Sequence, residues 1–413
     1  MKSGWRGLTP VAKLLIANQF GITLGFFMVV PFLATYLRED LGFAAALVGT
    51  VLGVRTLCQQ GLYVVGGVGA DRLNPRFLII FGCALRVVAF AVFALFTAPA
   101  AIIAATALTG VAGAIFNPAV QTYLMHESPT RRAETFTLLN VYGNAGSLVG
   151  PVLGALLLGV DFRLVCAVAC GIFAALTVAQ AFVLPSAHHP APTIGIFRSW
   201  ATMLANRRFL AFTLAGSAYW ALFNQLYLAL PLEAQRVTGR TGAVSAVFIV
   251  STGVGLLTGV RLVAACRRRW SPGTSMAIGL ALLGAGFIVP AVASPLVTSA
   301  PGPLAPADAL AAAWPVLLGT VVFSAGVTIT NPFMMELIPL VGSERLVGTY
   351  YGYFYLVAAL VTAGVSTTTG ALLDLESMRW LPFAFLCVIG AAGATGIAAM
   401  QHRGRLAARV QTG

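Results

Sequence analysis

Long stretches without a charged residue recur along the whole chain, and they limit what it can fold into. About 20 residues of α-helix cross the ~30 Å hydrocarbon core of a bilayer, because each residue adds about 1.5 Å. Seven uncharged windows are at least that long: 14–37, 135–160, 209–232, 241–260, 309–335, 346–373 and 380–401. The windows predict an all-α polytopic membrane protein.

Further apolar segments bring the count to twelve spans. The window 87–125 is interrupted at 97–100, "TAPA", and therefore completes one helix and holds another. The window 271–307 holds one helix and a proline-rich loop, and segments 45–68 and 164–184 supply the remaining spans. Only 9% of the residues are charged, against about 25% in soluble domains, so a soluble fold is excluded.

The distribution of basic residues predicts the orientation of these spans. Lys and Arg accumulate in cytoplasmic loops. With both termini in the cytoplasm, 17 of the 25 Lys and Arg fall on the cytoplasmic side, five on the other side and three within spans. Orientation thus accounts for the net charge of +13, and we expect no nucleic-acid partner.

The two halves of the chain carry similar landmarks. "FNPAVQ" at 116–121 and "TNPFMM" at 330–335 end spans four and ten, and "GALL" follows at 154–157 and 370–373. Matching landmarks indicate parallel repeats. The sequence predicts six-helix bundles at 1–184 and 209–413, joined by a cytoplasmic linker at 185–208.

The loop between spans two and three resembles a motif of the major facilitator superfamily, Gly-x-x-x-Asp-Arg-x-Gly-x-Arg-Lys. In "GGVGADRLNPRF" (66–77), four positions match. Asn74 replaces the second glycine and can also adopt a left-handed turn, and Phe77 replaces the final lysine. The resemblance implies that Asp71 pairs with basic groups near neighbouring helix ends and stabilises the outward-open state, while an exposed turn with a helix cap stays an alternative. The matching residues are Gly67, Asp71, Arg72 and Arg76.

The stretch "GNAGSLVGPVLG" (143–154) resembles the antiporter motif of span five, Gly-x-x-x-Gly-Pro-x-x-Gly. Gly146, Gly150, Pro151 and Gly154 match it, and Gly143 extends the stripe. In lipid, small residues let helix backbones approach closely, and the proline permits a bend. We expect a smooth face on which another helix can move, while plain small-residue packing stays an alternative. In this family the motif implies export.

Other short matches are similar to the 12-span drug:proton antiporters, and to the MdtH-type multidrug resistance proteins among them. They are "LGFFMVVPFL" (24–33), "VGTVLGVR" (48–55), "QQG" (59–61) and "DFRLVCA" (161–167). One departure is Thr106, which occupies a position in span four where drug antiporters often carry arginine. A proton-relay role for that arginine therefore does not transfer.

The resemblance implies a central cavity lined by spans one, four, seven and ten and flanked by span five. Aromatic and amide side chains there suit amphipathic planar molecules, although aromatic belts at the membrane interface also collect tyrosine. The predicted substrate-binding residues on these spans are Asn117, Asn140, Asn144, Tyr219, Phe223, Asn224 and Tyr227.

Arg55 and Arg86 lie near the middle of spans two and three, where an arginine costs at least about 2.5–3.5 kcal/mol by insertion scales. Arg55 is predicted to reach the cavity and hold an anionic group, and Arg86 is interpreted as structural. A second transport hypothesis follows, in which an organic anion or siderophore is bound by Arg55.

Proton coupling needs an acid whose pKa can move through the operating pH. Glu39 and Asp40 close span one, Glu233 ends span seven, and Glu336 lies deepest near the end of span ten. Glu336 is the first candidate, with a helix-end ion pair to an arginine such as Arg345 as the alternative. The sequence leaves the coupling residue open.

The leading hypothesis is therefore a proton-coupled exporter of amphipathic drugs or small metabolites in a bacterial inner membrane. The expected partners are a small-molecule substrate, protons and membrane lipid, and the family default is a monomer. No histidine or carboxylate is spaced to complete a metal site with Cys166 and Cys170. We expect no cofactor, no metal and no enzymatic activity, since the clustered acids of a membrane enzyme are not visible.

Overall fold

A computed structural model describes residues 9–63, 74–127, 132–185, 206–300, 302–342, 347–404 and 406. All regular secondary structure in these ranges is helical, which confirms the predicted all-α fold class. Gly67, Asp71 and Arg72 of the loop motif, and most of the predicted linker, lie outside these residues.

The helices are numbered α1 to α12 in chain order, and letters mark the segments of a broken helix. They are α1 Pro10–Thr35, α2 Ala45–Gly61, α3 Pro75–Leu95, α4 Pro99–Glu127, α5 Arg132–Leu158, α6 Phe162–Val183, α7a Arg207–Gly216, α7b Ala218–Phe223, α7c Ala229–Thr238, α8 Thr241–Arg269, α9a Pro272–Ala285, α9b Ile288–Ala293, α10 Pro306–Val341, α11 Val347–Leu373 and α12 Leu381–His402. A π-helical turn at Tyr36–Asp40 extends α1, and short 3₁₀ turns occupy Asn224–Leu226 and Glu376–Met378.

Ten helices in the described residues are long and apolar enough to cross a membrane. The helices α2 and α7 are the two predicted spans that do not meet this criterion. The described part of α2 has 17 residues, or about 26 Å of helix, and α7 is divided into short segments.

The break in α7 has a local cause. Pro231 has no backbone N–H to donate to the carbonyl of Tyr227, and its ring would collide with that carbonyl in a continuous helix. The chain accordingly forms a 3₁₀ turn at Asn224–Leu226, and Leu228 leaves helical geometry with φ −121° and ψ −78°. The sequence predicted one span over 209–232.

The start of α3 differs from the expectation for Asn74. This residue is extended (φ −63°, ψ 116°), and its side chain accepts a hydrogen bond from the backbone N–H of Arg76 at 3.0 Å. Asn74 is therefore an N-cap, with Pro75 in the first helical position. The Arg76 side chain donates to the carbonyl of Ala181 at 2.7 Å and so ties α3 to the last turn of α6.

The chain divides into two compact units. Unit 1 comprises residues 1–33 and 58–194. Within it α3 packs against α4 and α6, and the buried rings of Phe90 and Phe173 meet at 4.9 Å.

Unit 2 comprises residues 34–57 and 195–413. Within it α10 packs against α8 and α9a, and α9a packs against α12. Buried Phe287 and Phe323 contact edge to face at 5.6 Å. Unit 2 also contains residues 45–57 of α2. The six-helix boundaries at 184 and 209 stay a prediction.

Candidate functional site

A cavity of about 430 Å³ lies within unit 1. Its walls come from α1, α4 and α5 and from the end of α2. The lining residues are Gln19, Thr23, Phe27, Tyr63, Asn117, Val120, Gln121, Leu139, Asn140, Gly143, Asn144 and Ser147. Three of the predicted substrate-binding residues, Asn117, Asn140 and Asn144, are thus together at one cavity.

The sequence of α5 explains how this wall is built. Asn140, Asn144 and Ser147 recur at helical spacing, so they share one face of α5. All three line the cavity. The Ser147 hydroxyl donates to the backbone carbonyl of Asn144 at 2.9 Å. This bond therefore does not occupy the side-chain amide of Asn144.

The neighbouring face of α5 carries the glycine stripe and contacts α1. A Cβ at Gly146 would lie 2.7 Å from the carbonyl oxygen of Phe20, and one at Gly150 would lie 2.7 Å from the Cβ of Phe27. A Cβ at Gly154 would lie 2.7 Å from a ring carbon of Phe32. The two backbones are therefore in close contact, as the small-residue packing interpretation requires.

This close approach places α1 residues at the cavity. Gln19, Thr23 and Phe27 follow one another at intervals of one helical turn and line the cavity beside Gly143. The amide Nε2 of Gln19 donates to the Thr23 hydroxyl at 3.2 Å. The stripe thus sets the width of the cavity through the α1–α5 distance.

Arg55 forms part of a buried cluster within unit 2. Its guanidinium donates to the Oδ1 of Asn224 at 3.3 Å and lies 5.1 Å from the ring centroid of Tyr227. The Thr56 hydroxyl donates to the same Oδ1 at 3.1 Å, and the Asn224 amide donates to the Ser366 hydroxyl at 2.8 Å. This cluster joins α2, α7 and α11.

The aromatic residues predicted on span seven remain neighbours despite the break in α7. Tyr219 and Phe223 stack at 5.9 Å, and Phe223 contacts Tyr227 edge to face at 6.1 Å. Tyr227 also meets Phe248 of α8 at 5.4 Å. Tyr219 and Tyr227 are buried, so much of this row is core packing of unit 2.

Arg86 is buried in the core of unit 1. Its guanidinium carbon lies 5.2 Å from the ring centroid of Phe116 and 5.8 Å from that of Phe173. The two rings supply cation–π contacts from α4 and α6. This placement agrees with a structural role.

The candidate acids occupy different surroundings. Glu39 and Asp40 are exposed, whereas Glu233 is 4% exposed. Arg236 donates to both carboxylate oxygens of Glu233, at 2.7 and 2.6 Å. Glu336 pairs with an arginine, as the alternative interpretation expected, but the partner is Arg267 of α8 at 2.7 Å; Arg345 lies outside the described residues.

Asp374 is an acid that sequence reasoning missed. Its carboxylate accepts hydrogen bonds from the backbone N–H groups of Ala45 and Ala46, at 3.1 and 3.2 Å, and from Arg38. It therefore caps the start of α2 from the end of α11. The sequence separation of about 330 residues leaves no local signal for this contact.

The contact between α2 and α11 was also missed. A Cβ at Gly53 would lie 3.0 Å from the Cα of Ala363. One turn earlier, the Thr50 and Thr367 hydroxyls lie 3.2 Å apart. The Gly49-x-x-x-Gly53 spacing in "VGTVLGVR" is the signal that could have predicted it.

In the described part of the chain, no three His, Cys, Asp or Glu side chains lie together in a group that could hold a metal ion. The expectation of no metal and no cofactor stays a prediction.

Two related proteins align with nearly the whole chain. An uncharacterized MFS-type transporter of Mycobacterium tuberculosis is 35% identical over 399 residues, 94% of this chain and 93% of the relative. The multidrug resistance protein MdtH of Aeromonas hydrophila is 29% identical over 380 residues, 91% of each. The resemblance to MdtH-type proteins is thereby confirmed.

Solved structures share the fold. The peptide transporter POT in complex with sulfate aligns with a TM-score of 0.80 at 14% identity, covering 95% of this chain and 94% of that chain. A variant of the nucleoside transporter NupG aligns with a TM-score of 0.78 at 13% identity, covering 94% and 99%. The model of the Major Facilitator Superfamily matches residues 15–366. The chain belongs to the Major Facilitator Superfamily and is a membrane transporter.

Proposed function

We propose that this transporter is an exporter that exchanges protons for amphipathic drugs or small metabolites by alternating access. The observation that carries the proposal is the unit 1 cavity, where Asn117, Asn140 and Asn144 meet the ring of Phe27. Amides beside an aromatic wall fit molecules with both polar and apolar parts.

Export is supported by two further observations. The multidrug resistance protein MdtH of Aeromonas hydrophila is similar over 91% of the chain. The antiporter-type stripe is also present, and its glycines contact α1 closely. In the proposed cycle, this smooth contact lets α1 move along α5 without a side chain between them.

The proposed location is a bacterial inner membrane, with both termini in the cytoplasm and lipid around the helices. The excess of basic residues in one set of loops supports this orientation. The expected state is a monomer with six-helix bundles at 1–184 and 209–413. The loop residues Gly67, Asp71, Arg72 and Arg76 are proposed to control the change of state.

Glu233 becomes the first candidate for proton coupling, ahead of Glu336. It is the buried acid among the carboxylates whose side chains are described, and Arg236 donates to both of its oxygens, so the Glu233–Arg236 pair is sheltered from solvent. Glu336 is a quarter exposed and pairs with Arg267. Glu39 and Asp40, both exposed, rank last.

The alternative substrate, an organic anion or siderophore held by Arg55, has less support. The Arg55 guanidinium is engaged by Asn224 and Tyr227, and Arg55 does not line the unit 1 cavity. An anion would have to displace Asn224 before it could bind bidentately.

Proton flux in everted membrane vesicles with a preset pH gradient tests the proposal. An acridine dye reports proton movement when amphipathic drugs, first neutral and then cationic, and finally polycarboxylates are added to vesicles with wild type, Asn144→Leu or Asp71→Asn. We expect drug-dependent proton release from wild type and a reduced response from both variants. Val152→Leu, at an exposed α5 position outside the cavity lining, is the control.

Two results would contradict parts of the proposal. If no drug moves protons while the same drug accumulates in the vesicles, the transporter is not an antiporter. If only polycarboxylates move protons, and Arg55→Ala abolishes that signal, the organic-anion alternative is correct.

A further inference from the structure

We propose that the transported molecules present an uncharged group with several hydroxyl or amide functions to the unit 1 cavity. This inference rests on the proposed function, because it assigns a substrate class to the same cavity. It narrows amphipathic drugs and metabolites to molecules such as aryl glycosides, in which a neutral polar group adjoins an apolar ring.

The first observation is the composition of the cavity wall. Eight of its twelve residues are polar, none carries a formal charge, and five are amides. The amides come from three helices: Gln19 of α1, Asn117 and Gln121 of α4, and Asn140 and Asn144 of α5.

The second observation is the spacing of these side chains. Asn117 and Gln121 are one turn apart on α4, as are Asn140 and Asn144 on α5, so each pair points from one face of its helix. Gln19 and Thr23 are spaced in the same way on α1. Three paired rows of neutral donors and acceptors therefore border one space.

The third observation is that several of these amides are available. Asn117, Asn140 and Asn144 make no side-chain hydrogen bond with the residues that the structure describes. An amide offers two N–H donors and a carbonyl acceptor. A hydroxyl or amide of a substrate also donates and accepts, and can therefore pair with either the N–H or the carbonyl of such a group.

A charged group fits this wall poorly. An ion that moves from water into a site without an opposite charge loses hydration free energy that the site does not replace. The described cavity lining contains no carboxylate that could pair with a cation, and no arginine or lysine that could pair with an anion. Phe27, Val120 and Leu139 add the apolar surface against which a ring can pack.

A matched series of probes tests the inference by direct binding to the purified full-length transporter. The probes are tritiated p-nitrophenyl glucoside, which is neutral, p-nitrophenyl glucuronide, which carries a carboxylate, and p-nitrophenyl glucosaminide, protonated at its amine. Equilibrium dialysis gives each Kd. We expect the glucoside to bind about tenfold or more tightly than either ion, equivalent to about 1.4 kcal/mol.

Two kinds of variant assign the binding to this cavity. Asn140→Leu and Asn144→Leu keep the side-chain size and are expected to weaken glucoside binding by about tenfold each. Asn144→Asp introduces a charge of the same shape, and the protonated glucosaminide is then expected to bind more tightly than the glucoside. Val152→Leu controls for changes in α5 that do not reach the cavity.

The outcomes separate this inference from the proposed function. It is overturned if the glucoside does not bind, if an ion binds wild type as tightly, or if the Asn variants bind the glucoside like wild type. Drug-driven proton release without glucoside binding would leave the antiport proposal standing. Glucoside binding without any proton release would support the substrate class and contradict antiport.

Discussion

Arg55 and Arg86 show how differently a buried arginine can be accommodated in one chain. Both are 6% exposed. The guanidinium of Arg55 takes part in the polar cluster with Asn224, whereas the Nη1 atom of Arg86 is buried without a hydrogen-bond partner in the described residues, between two aromatic rings. A buried charge without polar partners contributes little net stability.

We therefore predict that Arg86→Met is tolerated. The substitution removes two cation–π contacts of about 0.5–2 kcal/mol, but it also removes the insertion cost of a charge, at least about 2.5 kcal/mol. The thermal unfolding midpoint of the purified protein should stay the same or rise, and transport should persist.

The matched variant Arg55→Met removes hydrogen bonding to Asn224 and should lower stability by about 1.5–3 kcal/mol. A large loss of stability in Arg86→Met would show that this arginine has an essential partner.

A second prediction concerns Glu233. Glu233→Gln keeps the shape and one acceptor for Arg236 but cannot titrate. We expect drug-dependent proton release to fall by about tenfold or more, since general acid–base groups act through their titration, while drug binding by equilibrium dialysis changes little. Asp308→Asn, at an exposed position outside the candidate coupling residues, is the control and should behave like wild type. Normal proton release by Glu233→Gln would move the coupling role to Glu336.

The glycine stripe of α5 decides, at the scale of the element, how closely two helices pack. Gly143 differs from the other members, because a Cβ there would lie 3.5 Å from the Cγ of Gln19, an ordinary contact. At Gly150 the same Cβ would lie 2.7 Å from Phe27 and 3.0 Å from the carbonyl of Leu24. The sequence motif alone treats these positions alike.

We predict a graded response to alanine along the stripe. Gly150→Ala should force α1 away from α5, lower the unfolding midpoint and weaken substrate binding in the cavity. Gly143→Ala should be mild. Gly171→Ala on α6, where nothing lies within 4 Å of the added Cβ, should be neutral or stabilising by up to about 1 kcal/mol from helix propensity. Equal effects of the substitutions at Gly150 and Gly171 in thermal unfolding would refute the packing role of the stripe.

The elements show which features the sequence can predict. The boundary between α3 and α4 was predicted at 97–100 and lies between Leu95 and Pro99, because a proline in an apolar run is a local signal. The break of α7 at Pro231 was not predicted. Pro31, Pro118 and Pro151 lie inside unbroken helices, so a proline alone does not determine whether a helix stops.

The candidate site was predictable to a similar degree. Helical spacing placed Asn140 and Asn144 on one face, and the structure brings Asn117 to the same cavity. Gln19 and Gln121 were missed because isolated glutamines form no pattern. The partners of Asp374 and Glu336 depend on contacts between distant helices, and no short-range rule specifies such contacts.

At the scale of the whole molecule, α2 has a special position because it belongs to both compact units. Residues 45–57 belong to unit 2, and residues from 58 onward belong to unit 1. Its start is capped by Asp374 and packs against α11 through Gly53. In the proposed alternating-access cycle the bundles change their arrangement, so we expect α2 to separate from α11 or to bend during transport.

A reversible cross-link between α2 and α11 tests this requirement. The Thr50 and Thr367 hydroxyls are 3.2 Å apart, so cysteines at these two positions place their sulfur atoms near each other, and we expect oxidation to join them. In a chain whose six native cysteines are replaced by serine, Thr50→Cys with Thr367→Cys should transport when reduced and stop when oxidised. Each single variant, oxidised in the same way, should stay active. Full transport by the cross-linked protein would mean that α2 and α11 remain together through the cycle, and that α2 bends instead of separating from α11.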